Sequence, residues 1–220
     1  VLNSTNYAFI GNTTNSDGNG NTNGTSVLPL TTDPTLVIPS IDDAGNTVVG
    51  IMSGAFRNCT NLQKLVLPDT IRYIGVTQVD SGVVSVDQTS SATGSFEGCT
   101  GLVHIKLSEN SLFTHIPPNS FKDCKSLAAI RIPSNVTHIG SNAFSNGLFL
   151  KDVMICGNPD ISKSYIGGNY TNGVFGNTPN DSPVNQNIYS TQQWKNNYFN
   201  ILYHSYWDNS ASSNLTNIIN

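Results

Sequence analysis

The chain has 220 residues, a net charge of −4 and only 11% charged side chains, so it carries neither the basic footprint of a nucleic-acid protein nor an acidic tail. No apolar run approaches the ~20 residues that a membrane-crossing helix needs, so no membrane insertion is expected. Asn, Thr, Ser and Gly dominate, a composition common in secreted bacterial surface proteins, and Val1-Leu2-Asn3 has no basic segment leading into an apolar one, so the sequence is expected to be mature, trimmed or an expressed fragment.

In chain order, Tyr7-Ala8-Phe9-Ile10 reads as an edge strand covering the first repeat of a series. Residues 11–26 are a low-complexity flexible stretch. Within it Asn15, Asp17, Asn19 and Gly20 have the spacing of half a calcium loop. Only one of them is a carboxylate, and Ser26 stands where a bidentate Glu is needed, so a solvated linker is preferred.

From residue 35 the sequence repeats. Leu62-x-x-Leu65-x-Leu67, Leu102-x-x-Ile105-x-Leu107, Leu127-x-x-Ile130-x-Ile132 and Leu150-x-x-Val153-x-Ile155 each begin six residues after a phenylalanine (Phe56, Phe96, Phe121, Phe144). A degenerate copy, Leu36-Val37-Ile38-Pro39, precedes them. In each run aliphatic and variable residues alternate, so a short strand turns Leu65 and Leu67 inward and Val66 outward. One such strand has nothing to bury its apolar face against, whereas stacked copies make a parallel sheet with a continuous core. Pro68 and Pro133 remove a ladder donor and end their strands. Gly75 and Gly140 suit a turn with unusual backbone angles after Ile74 and Ile139. A small residue (Ala55, Ser95, Ser120, Ala143) precedes each phenylalanine, where crowding is expected, and three residues beyond it stand Cys59, Cys99 and Cys124.

This L-x-x-I-x-I-P…I-G-x-x-A-F-x-x-C pattern resembles the BspA-like (Treponema-type) leucine-rich repeats of bacterial surface proteins, over roughly residues 35 to 190. Ser108 and Cys156 depart from it at the proline, and Gly147 at the cysteine. The resemblance implies a right-handed leucine-rich-repeat solenoid of about five turns. It would be β-dominant, with short parallel strands on the concave face, irregular loops on the convex side and a short C-terminal capping helix. It also implies adhesion to host or bacterial proteins. The division expected is a flexible segment with an N-cap strand over 1–34, repeats over 35–190 and an aromatic cap over 191–220.

Phe56 and Phe96 lie 40 residues apart, so this repeat holds an insertion near 76–92. Val76–Val79 and Val83–Val86 around Asp80-Ser81-Gly82 read as a β-hairpin, either a binding-face loop or a tolerated one. Beyond Ile155, Val174-Phe175 looks like a further corner and Asn187-Ile188-Tyr189 like a last strand. Ser190 then caps a helix with Trp194 and Tyr198 on one side.

No catalytic constellation emerges, and no enzyme and no cofactor are expected. Gly94-Ser95-Phe96-Glu97-Gly98 has its serine one place early for a nucleophile elbow and falls on a repeat corner. His115 and His138 share a repeat position with Tyr73, which would set the two imidazoles about 5 Å apart. Without a third ligand column, exposed loop histidines are the preferred reading and no metal is assigned. With three cysteines in one column, Cys156 at a strand end and no Cys-x-x-Cys, free buried thiols are expected. The Asn-x-Ser/Thr triplets at Asn23, Asn58, Asn135, Asn169 and Asn214 follow from composition.

Two surfaces are candidates for binding. Outward strand positions run Val66, Lys106, Arg131, Met154, with Lys64, His104 and Lys151 beside them. These form a mildly basic stripe for an acidic protein segment or glycan, or else an ordinary solvated sheet face. The C-terminal aromatics, Trp194, Tyr198 and Trp207 among them, either pack within the cap or stack on sugar rings, giving a carbohydrate-binding alternative. The reading is a monomeric, extracellular or surface-attached bacterial interaction module, whose partner is a matrix or bacterial surface protein, or a glycan.

Overall fold

The computed structural model describes residues 7–11, 34–80, 82–160 and 187–190. In chain order the strands are β1 (Tyr7–Ile10), β2 (Thr35–Val37), β3 (Thr47–Met52), β4 (Lys64–Val66), β5 (Tyr73–Asp80), β6 (Val83–Val86), β7 (His104–Lys106), β8 (His115–Ile116), β9 (Ala129–Ile132), β10 (His138–Ile139), β11 (Asp152–Ile155) and β12 (Asn187–Tyr189). No helix occurs among the described residues. The expected capping helix and Trp194, Tyr198 and Trp207 lie outside them.

The repeats supply two kinds of short strand, and each kind pairs in parallel with its counterpart in the next repeat except between β7 and β9 and between β5 and β8. The leucine-run strands form sheets β2-β4-β7 and β9-β11-β12, and the others form β1-β3-β5-β6 and β8-β10. Leu36, Leu65 and Ile105 sit opposite one another, as do Ile130 and Val153. Leu65, Ile130 and Val153 are at most 1% exposed, and Ile105 packs against the same apolar cluster. Alternation within a strand explains the pattern: Leu65 and Leu67 are buried while Lys64 is exposed.

The leucine-run ladder is interrupted between β7 and β9. Two more residues separate Ile105 from Ile116 than separate Ile130 from Ile139, and side chains bridge the boundary. Asn135 Nδ2 donates to the carbonyls of Asn110 and Phe113, at 3.0 and 2.6 Å. The second ladder is interrupted between β5 and β8, for a clearer reason. Pro117 and Pro118 follow Ile116 without an N–H between them, and β6 pairs antiparallel with β5 from Val76 to Asp80. Gly75 has φ +73, and a Cβ there would lie 3.1 Å from Pro117 Cγ. Gly140 differs from the expectation. It is absent from the left-handed region, and what excludes a side chain is space, since a Cβ would stand 2.3 Å from Pro118 N.

The phenylalanine corners run unbroken across both interruptions. Phe56, Phe96, Phe121 and Phe144 are buried and stack in sequence, with centroids 5.2, 5.3 and 5.4 Å apart and planes within 5° of parallel. Backbone bonds climb the same corner: Phe56 N–H to Ser95 O, Phe96 N–H to Ser120 O and Phe121 N–H to Ala143 O. Ser95 uses its small side chain twice, its Oγ accepting from Gly75 N–H and donating to Met52 O. Two residues after each phenylalanine the chain turns left-handed, at Asn58, Gly98, Asp123 and Asn146. Gly, Asn and Asp are the residues that enter this region at least cost. At the N-terminal end Arg72, the residue before β5, lies 4.9 Å over the Tyr7 ring of β1.

Candidate interaction surface

The strand register carries the outward side chains with it. Thr35, Lys64 and His104 align, as do Val37, Val66 and Lys106. On the next sheet Ala129 aligns with Asp152 and Arg131 with Met154. Lys64, His104, Lys106 and Lys151 are exposed, whereas Val66, Arg131 and Met154 are half-buried. These are the outward positions that the repeat period predicts, and within each sheet the strand residues among them alternate with the buried ones.

The stripe is less basic than its composition. Arg131 Nη1 donates to Glu109 Oε1 at 2.6 Å, and Lys106 Nζ lies 4.0 Å from Asp69 Oδ1. Both carboxylates come from the turn just after a leucine-run strand. Pairs this exposed contribute on the order of 0–1 kcal/mol each and exchange readily. Lys64 and Lys151 make no ion pair among the described residues. Sequence reasoning missed Asp69 and Glu109 because they fall outside the strand period, although each lies in the segment immediately after a basic strand.

None of the four cysteines forms a disulfide. Cys99 Sγ donates to Phe56 O at 3.1 Å and Cys124 Sγ to Phe96 O at 3.4 Å, so the column satisfies carbonyls of the preceding repeat. A hydrogen bond with Cys59, then burial, pushes the Cys99 thiol far up, and burial does the same to Cys124. Such thiols are inert at neutral pH. Cys59 and Cys156 are half-buried, in contrast to the buried state expected of them.

His115 and His138 are strand residues, directly opposite each other on β8 and β10, and their rings stack with centroids 4.5 Å apart at 4°. Burial, and then the neighbouring imidazole, hold His115 below the usual histidine range. Among the described residues no group of three His, Cys, Asp or Glu stands ready for a metal, and no helix is long and apolar enough to cross a membrane.

Several solved structures resemble this one. The chain is similar to a leucine rich cell surface protein from Faecalibacterium prausnitzii, with 24% identity and a TM-score of 0.51 over 74% of this chain and 34% of that one. It is also similar to a leucine rich repeat protein from T. pallidum, with 31% identity and a TM-score of 0.43 over 55% of this chain and 47% of that one. A leucine-rich repeat protein from Bacteroides ovatus gives 20% identity and a TM-score of 0.36 over 56% and 42% of the two chains. The chain therefore spans about a third of the Faecalibacterium protein, and that likeness is one of fold. No curated protein matches the sequence. Residues 40–146 match the family described as BspA type leucine rich repeat region, in six copies. Residues 40–146, the span that holds the phenylalanine corners and the cysteine column, therefore carry BspA-type leucine-rich repeats.

Proposed function

We propose that this chain is a non-catalytic interaction module of a bacterial surface or secreted protein. It is built as a right-handed solenoid whose leucine-run strands line a concave docking face. One observation carries the reading: outward side chains on neighbouring parallel strands stand in register while their inward neighbours are sealed into the core. Such a surface is rigid before it meets a partner, which lowers the entropic cost of association. The family and the surface location named for the Faecalibacterium protein support the same reading. The division proposed is a segment over 1–34, repeats over 35–190 with the hairpin near 76–92, and a cap over 191–220.

The partner is an extracellular protein, a matrix or bacterial surface component, bound by a monomer. Lys64 and Lys151 are the cations open to its acidic groups, Val66 and Met154 supply apolar contact, and His104 adds a polar one. Lys106 and Arg131 contribute by exchanging Asp69 and Glu109 for a carboxylate of the partner. The test immobilises the chain and passes matrix and bacterial surface proteins over it. Lys64→Glu combined with Lys151→Glu should weaken capture at least tenfold and flatten its salt dependence. Undiminished capture by this variant and by Arg131→Glu, with loss on removing the 76–92 hairpin, would move the docking face elsewhere.

A further inference from the structure

One aromatic ring stands apart from the column that holds the repeats together. Phe56, Phe96, Phe113, Phe121 and Phe144 are buried, whereas Phe149 is 67% exposed and stacks on no other ring among the described residues. It stands just before the first leucine of its run, where the earlier repeats have Asn61, Gly101 and Ser126. Backbone bonds lay these positions side by side: Phe149 N–H donates to Lys125 O and Ser126 N–H to Thr100 O, each at 3.2 Å. In a parallel ladder a donor to the carbonyl of one residue lies opposite the next, so Phe149 faces Ser126 and Ser126 faces Gly101. Gly101 has no side chain, and a Cβ there would run into Thr60 O. The ring therefore heads a row of small and polar residues, with nothing large beside it to cover it.

Two cations flank the ring. Lys125 precedes Ser126 on the neighbouring turn and Lys151 follows Phe149 by two residues, so both Cα atoms lie within about 7 Å of that of Phe149. Both lysines are exposed, and neither makes an ion pair among the described residues. Of the carboxylates nearby, Asp123 accepts from Asn146 Nδ2 at 2.9 Å and Asp152 is half-buried on β11, and neither pairs with Lys125 or Lys151.

We infer that Phe149, Lys125 and Lys151 form a binding site for an anionic polysaccharide. One sugar packs its C–H face on the Phe149 ring, whose face carries partial negative charge, and carboxylate or sulfate groups of the glycan meet the two ammonium groups. The glycan then runs along the row over Ser126 and Gly101 towards Asn61, where side chains are small enough to let it pass and polar enough to bond its hydroxyls. A protein hot spot has other surroundings, with neighbouring contacts that seal the aromatic anchor from water. Here ammonium, hydroxyl and amide groups surround the ring, which suits a ligand that keeps its own hydroxyls wet. Lys151 borders this site and the protein-docking face; Phe149 and Lys125 belong to this site alone.

The test immobilises the intact chain and passes heparin, polygalacturonate and neutral dextran over it at low ionic strength. Heparin or polygalacturonate should bind and dextran should not; heparin alone identifies sulfate as the recognised group, polygalacturonate alone carboxylate. Phe149→Ala should weaken binding at least tenfold with Tm unchanged, and Phe149→Tyr should retain it. Lys125→Glu combined with Lys151→Glu should also weaken it at least tenfold and remove its salt dependence. Leu112→Ala, which trims an apolar side chain 52% exposed elsewhere on the surface, should bind like the parent. No partner protein is present in these arms, so their failure leaves the protein-docking reading standing, and failed protein capture leaves this site standing. Absence of binding to both anionic polysaccharides, or binding that survives Phe149→Ala, overturns the proposal. Protein capture lost with Phe149→Ala, when neither polysaccharide binds, assigns the ring to protein docking and overturns it too.

Discussion

Replacing Phe121 with alanine would remove the middle of the aromatic column. The ring is fully buried and stacks on Phe96 at 5.3 Å and on Phe144 at 5.4 Å, so truncation opens a cavity and breaks two ring contacts. Phenylalanine-to-alanine changes in cores cost about 3–5 kcal/mol, and each lost ring pair accounts for about 0.5–1.5 kcal/mol beyond area. The expected destabilisation is therefore near the top of that range, about 4–5 kcal/mol. For a chain of this size each kcal/mol lowers Tm by ~2–4 °C, so a fall of roughly 10–15 °C is expected. Far-UV circular dichroism during thermal and urea unfolding would measure it. Phe149→Ala serves as the control, since Phe149 is 67% exposed and its loss should stay within about 0.5 kcal/mol. A Phe121→Ala protein melting within a few degrees of the parent, or no worse than Phe149→Ala, would refute the idea that the corner column holds the repeats together.

Gly94→Ala should cost about 3 kcal/mol or more, because its Cβ would lie 1.8 Å from the backbone oxygen of Asn119. Gly45→Ala, with open space around it but φ +83, should cost only about 1 kcal/mol, and equal midpoints in urea would contradict this contrast. Under native conditions at pH 8, Cys59 and Cys156 should react with a thiol reagent well before Cys99, whose deprotonation is opposed by a hydrogen bond with Cys59 and by burial, and before Cys124, where burial opposes it. Four equal rates, followed by mass spectrometry, would show that the column opens. His115 titrates lower in the folded chain than unfolded, so its contribution to stability is present above the unfolded value near 6.5 and is lost as pH falls through the folded one. Tm should fall on acidification across that window, and that of His115→Gln should fall less; parallel curves would contradict the assignment.

The sequence by itself determined the repeat, and with it most of the interior. A six-residue interval from phenylalanine to leucine run, recurring four times, dictates which side chains face inward, because alternation along a strand leaves little choice once one residue is buried. The cysteine column and the outward Lys64, Lys106, Arg131 and Met154 were legible for the same reason. Contacts between repeats obey no such period, and only the tertiary structure decided them. Asp69 and Glu109 reach Lys106 and Arg131 from turns 37 and 22 residues away in sequence. Pro117 meets Gly75 only because the chain returns beside its own earlier turn. Whether a glycine is needed for its angle, as at Gly75, or for its emptiness, as at Gly140, likewise depends on which backbone lies opposite. Local patterning follows from the geometry of one strand, whereas charge pairing and close approach follow from how strands distant in sequence are laid against each other.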